Sequence, residues 1–95
     1  MKLLTSAILK KLPPLGATGN EEDPVAVVKF FDPMGSWSWY GIEYDPVDRI
    51  FFGLVDGFEK ELGEFSLDEL EAVGRSRILG IERDLYFKPT PISKL

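Results

Sequence analysis

Glu43 and Asp56 are the residues that simple packing accounts for least, because each falls within a run of aromatic and aliphatic residues. A carboxylate on an apolar sheet face has to be paired, exposed to water or neutralised. Two of them gathered in one cleft would make a general acid/base pair or a cation ligand. The triplet Glu82-Arg83-Asp84 adds three charges to an otherwise apolar segment. Arg83 could grip Glu43 or Asp56 bidentately as a structural salt bridge, or, held beside Glu43, Asp56 and Asp84, bind a ligand's carboxylate or phosphate. The plainer account puts Glu43 and Asp56 at a sheet edge or end, where they reach water, or has them in a different strand register. Both accounts stay open at the level of sequence.

A second constellation is Trp37-Ser38-Trp39-Tyr40. Its rings could stack on a base, a sugar or a proline-rich peptide, but two tryptophans on one strand face beside Phe30 also fit a core. Base stacking would want interleaved Lys and Arg, and only Lys29 lies near. Other chemistries are excluded more firmly. With no histidine and no cysteine there is no Ser-His triad, thiolate nucleophile, disulfide framework or Cys-based zinc site. The stretch from Gly53 to Gly57 lacks the lysine and the following helix of a phosphate loop. Glu21-Glu22-Asp23 lacks the alternating oxygen ligands of a calcium loop. No metal or cofactor is expected.

Sixteen acidic against eleven basic residues give a net charge of −5, which repels phosphate backbones, so no direct nucleic-acid binding is expected. No 18-residue apolar run occurs and the start of the chain is too short for a secretory signal. A cytoplasmic protein without a membrane association is the expectation. At 95 residues the chain should be a single domain over residues 1–95, folding as a monomer or small homo-oligomer.

The elements that must position these groups are legible from period and turn chemistry. Nine of the twelve aromatic residues lie between Phe30 and Phe58, in three strand-like runs at 25–31, 37–44 and 50–56. Asp32-Pro33 and Asp45-Pro46 open turns between them, because the proline presets φ. Closing both turns symmetrically puts Phe30 opposite Trp39, Val28 opposite Gly41 and Ala26 opposite Glu43. It also puts Glu43 opposite Phe52, Gly41 opposite Leu54 and Asp56 opposite Trp39. One face then carries Ala26, Val28, Phe30, Trp37, Trp39, Phe52 and Leu54. The other carries Val25, Val27, Phe31, Tyr40, Ile42, Tyr44, Phe51 and Val55. Gly41 and Gly53 within strands point to a bulge or to large rings lying over them.

A fourth strand is expected around Leu62-Gly63-Glu64-Phe65. Around it, Thr5 caps a helix with the stripe Leu4, Ile8 and Leu12, which Pro13-Pro14 stops. Ser66-Leu67-Asp68-Glu69 is a capping box opening a helix that ends at Gly74. Residues 15–24 read as an exposed loop, the most mobile part. Residues 81–87 read as extended, with Ile81, Leu85 and Phe87 on one side, and Thr90-Pro91 can start a last turn. The fold class is α+β: an antiparallel β-meander of about four strands with two or three short helices packed on it.

The runs Val27-Val28-Lys29-Phe30-Phe31, Trp37-Ser38-Trp39-Tyr40, Phe51-Phe52-Gly53-Leu54-Val55-Asp56-Gly57, Glu59-Lys60-Glu61-Leu62-Gly63, Phe65-Ser66-Leu67-Asp68-Glu69-Leu70 and Ile81-Glu82-Arg83-Asp84-Leu85-Tyr86-Phe87 together resemble the bacterial domain-of-unknown-function family 2958. The resemblance implies a small stand-alone protein of plasmids and other mobile elements, and brings no activity, cofactor or catalytic residue with it. The expected role is a cytoplasmic protein–protein interaction or regulatory module with an unidentified protein partner, rather than an enzyme. The alternative is a small carboxylate-based enzyme or ligand-binding domain built on Glu43, Asp56, Arg83 and Asp84. Trp37, Trp39 and Tyr40 complete the candidate partner-binding residues.

Overall fold

The aromatic and β-branched runs form the centre of an antiparallel sheet because short turns return the chain directly beside itself. Asp32 and Asp45 each hold their turn with a carboxylate oxygen that accepts the backbone N–H two residues on, Met34 and Val47, both at 2.9 Å. The computed structural model describes residues 1–95. Its strands are β1 (Val25–Ala26), β2 (Val28–Phe31), β3 (Ser38–Asp45), β4 (Ile50–Asp56), β5 (Lys60–Ser66), β6 (Glu82–Arg83) and β7 (Thr90–Pro91). The helices are α1 (Ser6–Leu9) and α2 (Leu67–Ala72), with 3-10 turns at Val73–Arg75 and Ile92–Lys94. Five strands pair antiparallel in the order β5-β4-β3-β2-β6, and β1 pairs separately with β7. The α+β class stands. The four-stranded meander gains β6 at its far edge and a separate two-stranded ribbon.

The register explains where the side chains go. Phe30 faces Trp39 and Val28 faces Gly41, as expected, and Glu43 faces Phe52. Gly41, however, faces Gly53 rather than Leu54, and Trp39 faces Val55 rather than Asp56. The register slips by one between Gly41 and Glu43, so β3 carries an extra residue, Ile42, in a β-bulge. Gly53 has no side chain because a Cβ there would run into the Tyr40 carbonyl, where the bulge presses β3 onto β4. Rings also matter, since a Cβ on Gly41 would meet Val28 and Phe51.

A slip of one residue exchanges faces. Phe51 and Val55 therefore join Val28, Phe30, Trp39 and Tyr44 on one face, whereas Phe52 and Leu54 join Tyr40 and Ile42 on the other. The symmetric register had Phe52 and Leu54 beside Val28, Phe30 and Trp39, and Phe51 and Val55 beside Tyr40 and Ile42; it also grouped Tyr44 with Tyr40 and Ile42, from which the bulge separates it. Ala26 does not reach Glu43 either: the chain breaks at Val27, and Ala26 faces Thr90.

Both faces are covered. Leu3, Leu67, Leu70 and Ile81 close the first core, and Phe87, Ile92 and Leu95 pack over Ala26, Tyr40, Ile42 and Leu54 on the second. Residues 81–87 are not one extended segment, because only Glu82–Arg83 pairs. The Asp84 carboxylate accepts the Tyr86 N–H at 2.9 Å and turns the chain there. Ile81 goes to one core, Phe87 to the other, and Leu85 is left exposed.

The helices follow their caps. Thr5 Oγ1 accepts the Ile8 N–H at 3.3 Å, but α1 is a single turn rather than the longer stripe expected. Leu4, Ile8 and Leu12 still pack on the first core. Ser66 Oγ accepts the Glu69 N–H at 3.2 Å and starts α2, whose Leu67 and Leu70 are buried. Gly74 sits inside the following 3-10 turn instead of ending the helix.

Candidate functional site

The bulge delivers Glu43 to the second face with only 3% of its surface exposed. No cation pairs with it. Its carboxylate instead accepts the backbone N–H groups of Gly16 at 2.7 Å and Thr18 at 2.8 Å, together with the Thr18 hydroxyl. Burial alone would raise its pKa, but the Thr18 hydroxyl and the Gly16 and Thr18 amides overcome that and hold it below the usual glutamate value. Hydrogen bonding to the charged form favours ionisation. Glu43 is thus an ionised staple that binds residues 16–18 to the sheet. The loop expected to be loosest is pinned there, and again at Asp23, which accepts from Ser93 N and Oγ at 2.9 and 2.7 Å.

Asp56 ends β4, opposite Ser38 on one side and Lys60 on the other. It lies four residues along β4 from Phe52, which faces Glu43, so about 13 Å of strand separates the two acids. Arg83 turns to the N-terminal segment, donating through Nη1 to the carbonyls of Lys2 and, at 3.1 Å, Leu3. Asp84 lies 3.9 Å from Lys29 Nζ and caps its own turn. Glu43 lines one groove, and Arg83 and Asp84 line another. Glu43, Arg83 and Asp84 therefore hold separate partners, Asp56 makes no ion pair, and the four form no common cleft.

The aromatic candidates divide as well. Tyr40 is buried against Phe87, with ring centroids 5.7 Å apart, and Lys29 lies over its ring. Trp39 packs on the first core. Trp37 stands at the hairpin end of the same face, its indole lying over Gly57, where a Cβ would come within 2.6 Å of the ring. Phe58 meets it edge-to-face at 5.3 Å while remaining 94% exposed. Trp37, Val55, Gly57, Phe58, Glu59 and Glu61 line a groove of about 370 Å³.

Sequence reasoning did not single out Phe58. The signal was present, since Gly57-Phe58-Glu59 places a large ring at the tip of a tight turn, where nothing in the fold can bury it. Across β5, on the other face, Glu21, Glu22, Phe52, Leu62 and Glu64 line a second groove of about 400 Å³. Glu21, Glu22, Glu59, Glu61 and Glu64 make no ion pair. The chain thus presents an apolar ledge with unpaired acids on either side of one strand.

No helix is long and apolar enough to cross a membrane. No curated protein and no solved structure matches the chain. The model of the family DUF2958, described as a protein of unknown function, matches residues 3–94, and the chain belongs to that family.

Proposed function

We propose that the protein is a small cytoplasmic interaction or regulatory module, part of plasmid or mobile-element biology, that works by binding another protein. The observation that carries this reading is the Trp37–Phe58 pair. Phe58 is 94% exposed and rests edge-on against Trp37 above an open groove. Large aromatic rings held rigidly at a surface are typical anchors of protein interfaces, because they bury much area at little entropic cost. Glu43, Arg83 and Asp84, which would serve a catalytic cleft, are occupied with holding loops and the N-terminal segment in place, whereas the ledge joins an exposed ring to an open groove.

Affinity purification from a native host tests the reading, with the wild-type chain as bait beside Phe58→Ala and Tyr86→Ala. Tyr86 is 92% exposed but lies outside the groove. A specific partner should be retained by wild type and by Tyr86→Ala and lost with Phe58→Ala. Absence of any partner, or a partner indifferent to Phe58, overturns the reading.

A further inference from the structure

β5 is the outer strand of the sheet on the side of the ledge. Two hydrogen bonds fix which of its backbone groups are spoken for: Leu67 N–H donates to Arg49 C=O at 3.0 Å, and Gly57 N–H donates to Glu59 C=O at 3.1 Å, at opposite ends of the β4–β5 ladder. Bonded and non-bonded pairs alternate along an antiparallel ladder. Given the register Phe51–Phe65, Gly53–Gly63 and Val55–Glu61, those residues bond inward, in phase with both end bonds. Lys60, Leu62 and Glu64 therefore aim their N–H and C=O groups outward, about 7 Å apart along the strand. Nothing in the chain pairs with them.

An open edge invites another strand, and proteins usually blunt such edges with charge, bulges or a covering loop. β5 carries charge, but its surroundings do not read as blunting alone. Leu62 is half-exposed on the edge, and Phe58 and Trp37 form an apolar ledge beside it. Glu59 and Glu61 flank that ledge, whereas Glu21, Glu22 and Glu64 flank Leu62 across the strand. Gly63 leaves open space between Glu61 and Phe65, since a Cβ there would meet nothing within 4 Å.

We propose that the free edge of β5 accepts an extended, basic segment of a partner protein as a sixth strand of the sheet. The inference rests on the interaction reading above and names the partner's chemistry. Main-chain hydrogen bonds to Lys60, Leu62 and Glu64 supply the pairing, and alternate side chains of the incoming strand supply the selection. Lys or Arg on one side meets Glu59 and Glu61 and lies against the Trp37 and Phe58 rings, where a cation is favoured. On the other side a basic residue meets Glu64, Glu21 and Glu22. A second copy of this chain could pair antiparallel about Leu62 with Lys60 against Glu64, but it would bring another chain of net charge −5 to an edge flanked by Glu21, Glu22, Glu59 and Glu61, and that repulsion favours a basic strand instead.

The test uses the full-length, nitrogen-15-labelled chain with a short peptide of Arg-Lys pairs separated by Thr-Val pairs, which sets basic residues on both faces of an extended strand, beside the same peptide with Glu at the basic positions. Titration with the basic peptide should slow amide exchange at Lys60, Leu62 and Glu64, and the acidic peptide should leave those amides unchanged. Glu59→Lys with Glu61→Lys should weaken binding about tenfold or more, as removal of complementary charge requires. Leu62→Pro should abolish binding while leaving the β4–β5 amides protected, because proline is tolerated where the N–H faces outward.

Binding of the basic peptide without protection at Lys60, Leu62 and Glu64 overturns strand addition and leaves the interaction reading standing. The same holds if a Phe58-dependent host partner exists but the basic peptide does not bind. Self-association through β5, seen as a dimer in sedimentation that Leu62→Pro abolishes, overturns the proposal in favour of a second copy.

Discussion

Replacing Glu43 by glutamine changes one atom of the side chain, yet it turns an acceptor of three hydrogen bonds into a group with an NH₂ facing donors. The Gly16 and Thr18 amides and the Thr18 hydroxyl all point at that carboxylate. Hydrogen bonds to a charged acceptor are the strong ones, and a buried donor left without a partner costs its desolvation, so Glu43→Gln should lose about 2 kcal/mol at neutral pH by urea denaturation. Thr18→Val, which keeps the amide, should lose about 1 kcal/mol. The pH dependence has a definite sign. The folded chain holds Glu43 below its ordinary value, and an unfolded glutamate titrates near about 4.3. The staple's contribution is therefore complete above that value and is lost as pH falls through the folded pKa. The gap between wild type and Glu43→Gln should be widest at neutral pH and narrow below about pH 4, and a gap that widens in acid would refute the account. Arg83 makes the contrasting case: Arg83→Ala should cost about 1 kcal/mol by freeing the Lys2 and Leu3 carbonyls and leave partner binding intact, because its guanidinium faces the N-terminal segment.

At the scale of elements the bulge at Ile42 decides which residues share a face, and Gly53 permits it. Gly53→Ala would drive a methyl group into the Tyr40 carbonyl, so thermal melts should show a loss of about 3 kcal/mol, the upper range for forcing atoms into a packed site. Ser66→Ala, which removes only the α2 cap, should cost about 1 kcal/mol, and equal losses would mean that the bulge relaxes freely. The same comparison shows what was legible beforehand. The central strands could be read because aromatic runs and Asp-Pro turns report on local conformation, and the α2 cap because Ser66 and Glu69 sit at a fixed spacing. The bulge was announced only by Gly41 and Gly53, which point equally to rings or to a slip, and that single residue reversed the faces of Phe51, Phe52, Leu54 and Val55. The partners of Glu43 could not be read at all, since two of its three donors are backbone amides of a loop without an apolar period. Arg83 took carbonyls of the N-terminal segment for the same reason, backbone groups being invisible in a residue list. Glu59, Glu61 and Glu64 were plain in the sequence, but that they border an open edge depends on strand order, which local pattern does not carry.

For the whole molecule, the second core depends on the chain's last residues. Ala26, Tyr40, Ile42 and Leu54 are covered by Phe87, Ile92 and Leu95, β7 pairs with β1, and Ser93 holds Asp23 at the end of the loop that Glu43 pins. One sheet face thus relies on a tail that contributes to no other core, whereas the first core is closed by α2, the N-terminal segment and Ile81. A chain ending at Phe87 loses the partly buried Ile92 and Leu95, worth about 2 kcal/mol together, before the unpaired β1 strand is counted. Against a typical total of about 5–15 kcal/mol for a small domain, that brings the protein toward unfolding without abolishing the first core. Urea denaturation of the shortened chain should show a lower midpoint. Amide exchange should quicken at Val27, which donates to Gly41, and at the Gly16 and Thr18 amides, while Phe51 and Phe65 keep their protection. Uniform acceleration across both cores would show instead that the two faces fold as one inseparable unit. The free edge of β5 lies at the opposite edge of the sheet from β6; its Trp37–Phe58 side is backed by Trp39, Val55 and Phe65 of the first core, whereas Ile92 lines the Glu21 and Glu22 side. The shortened chain should therefore still bind the basic peptide under conditions where it remains folded, with the Glu21 and Glu22 side of the site weakened as their loop loosens.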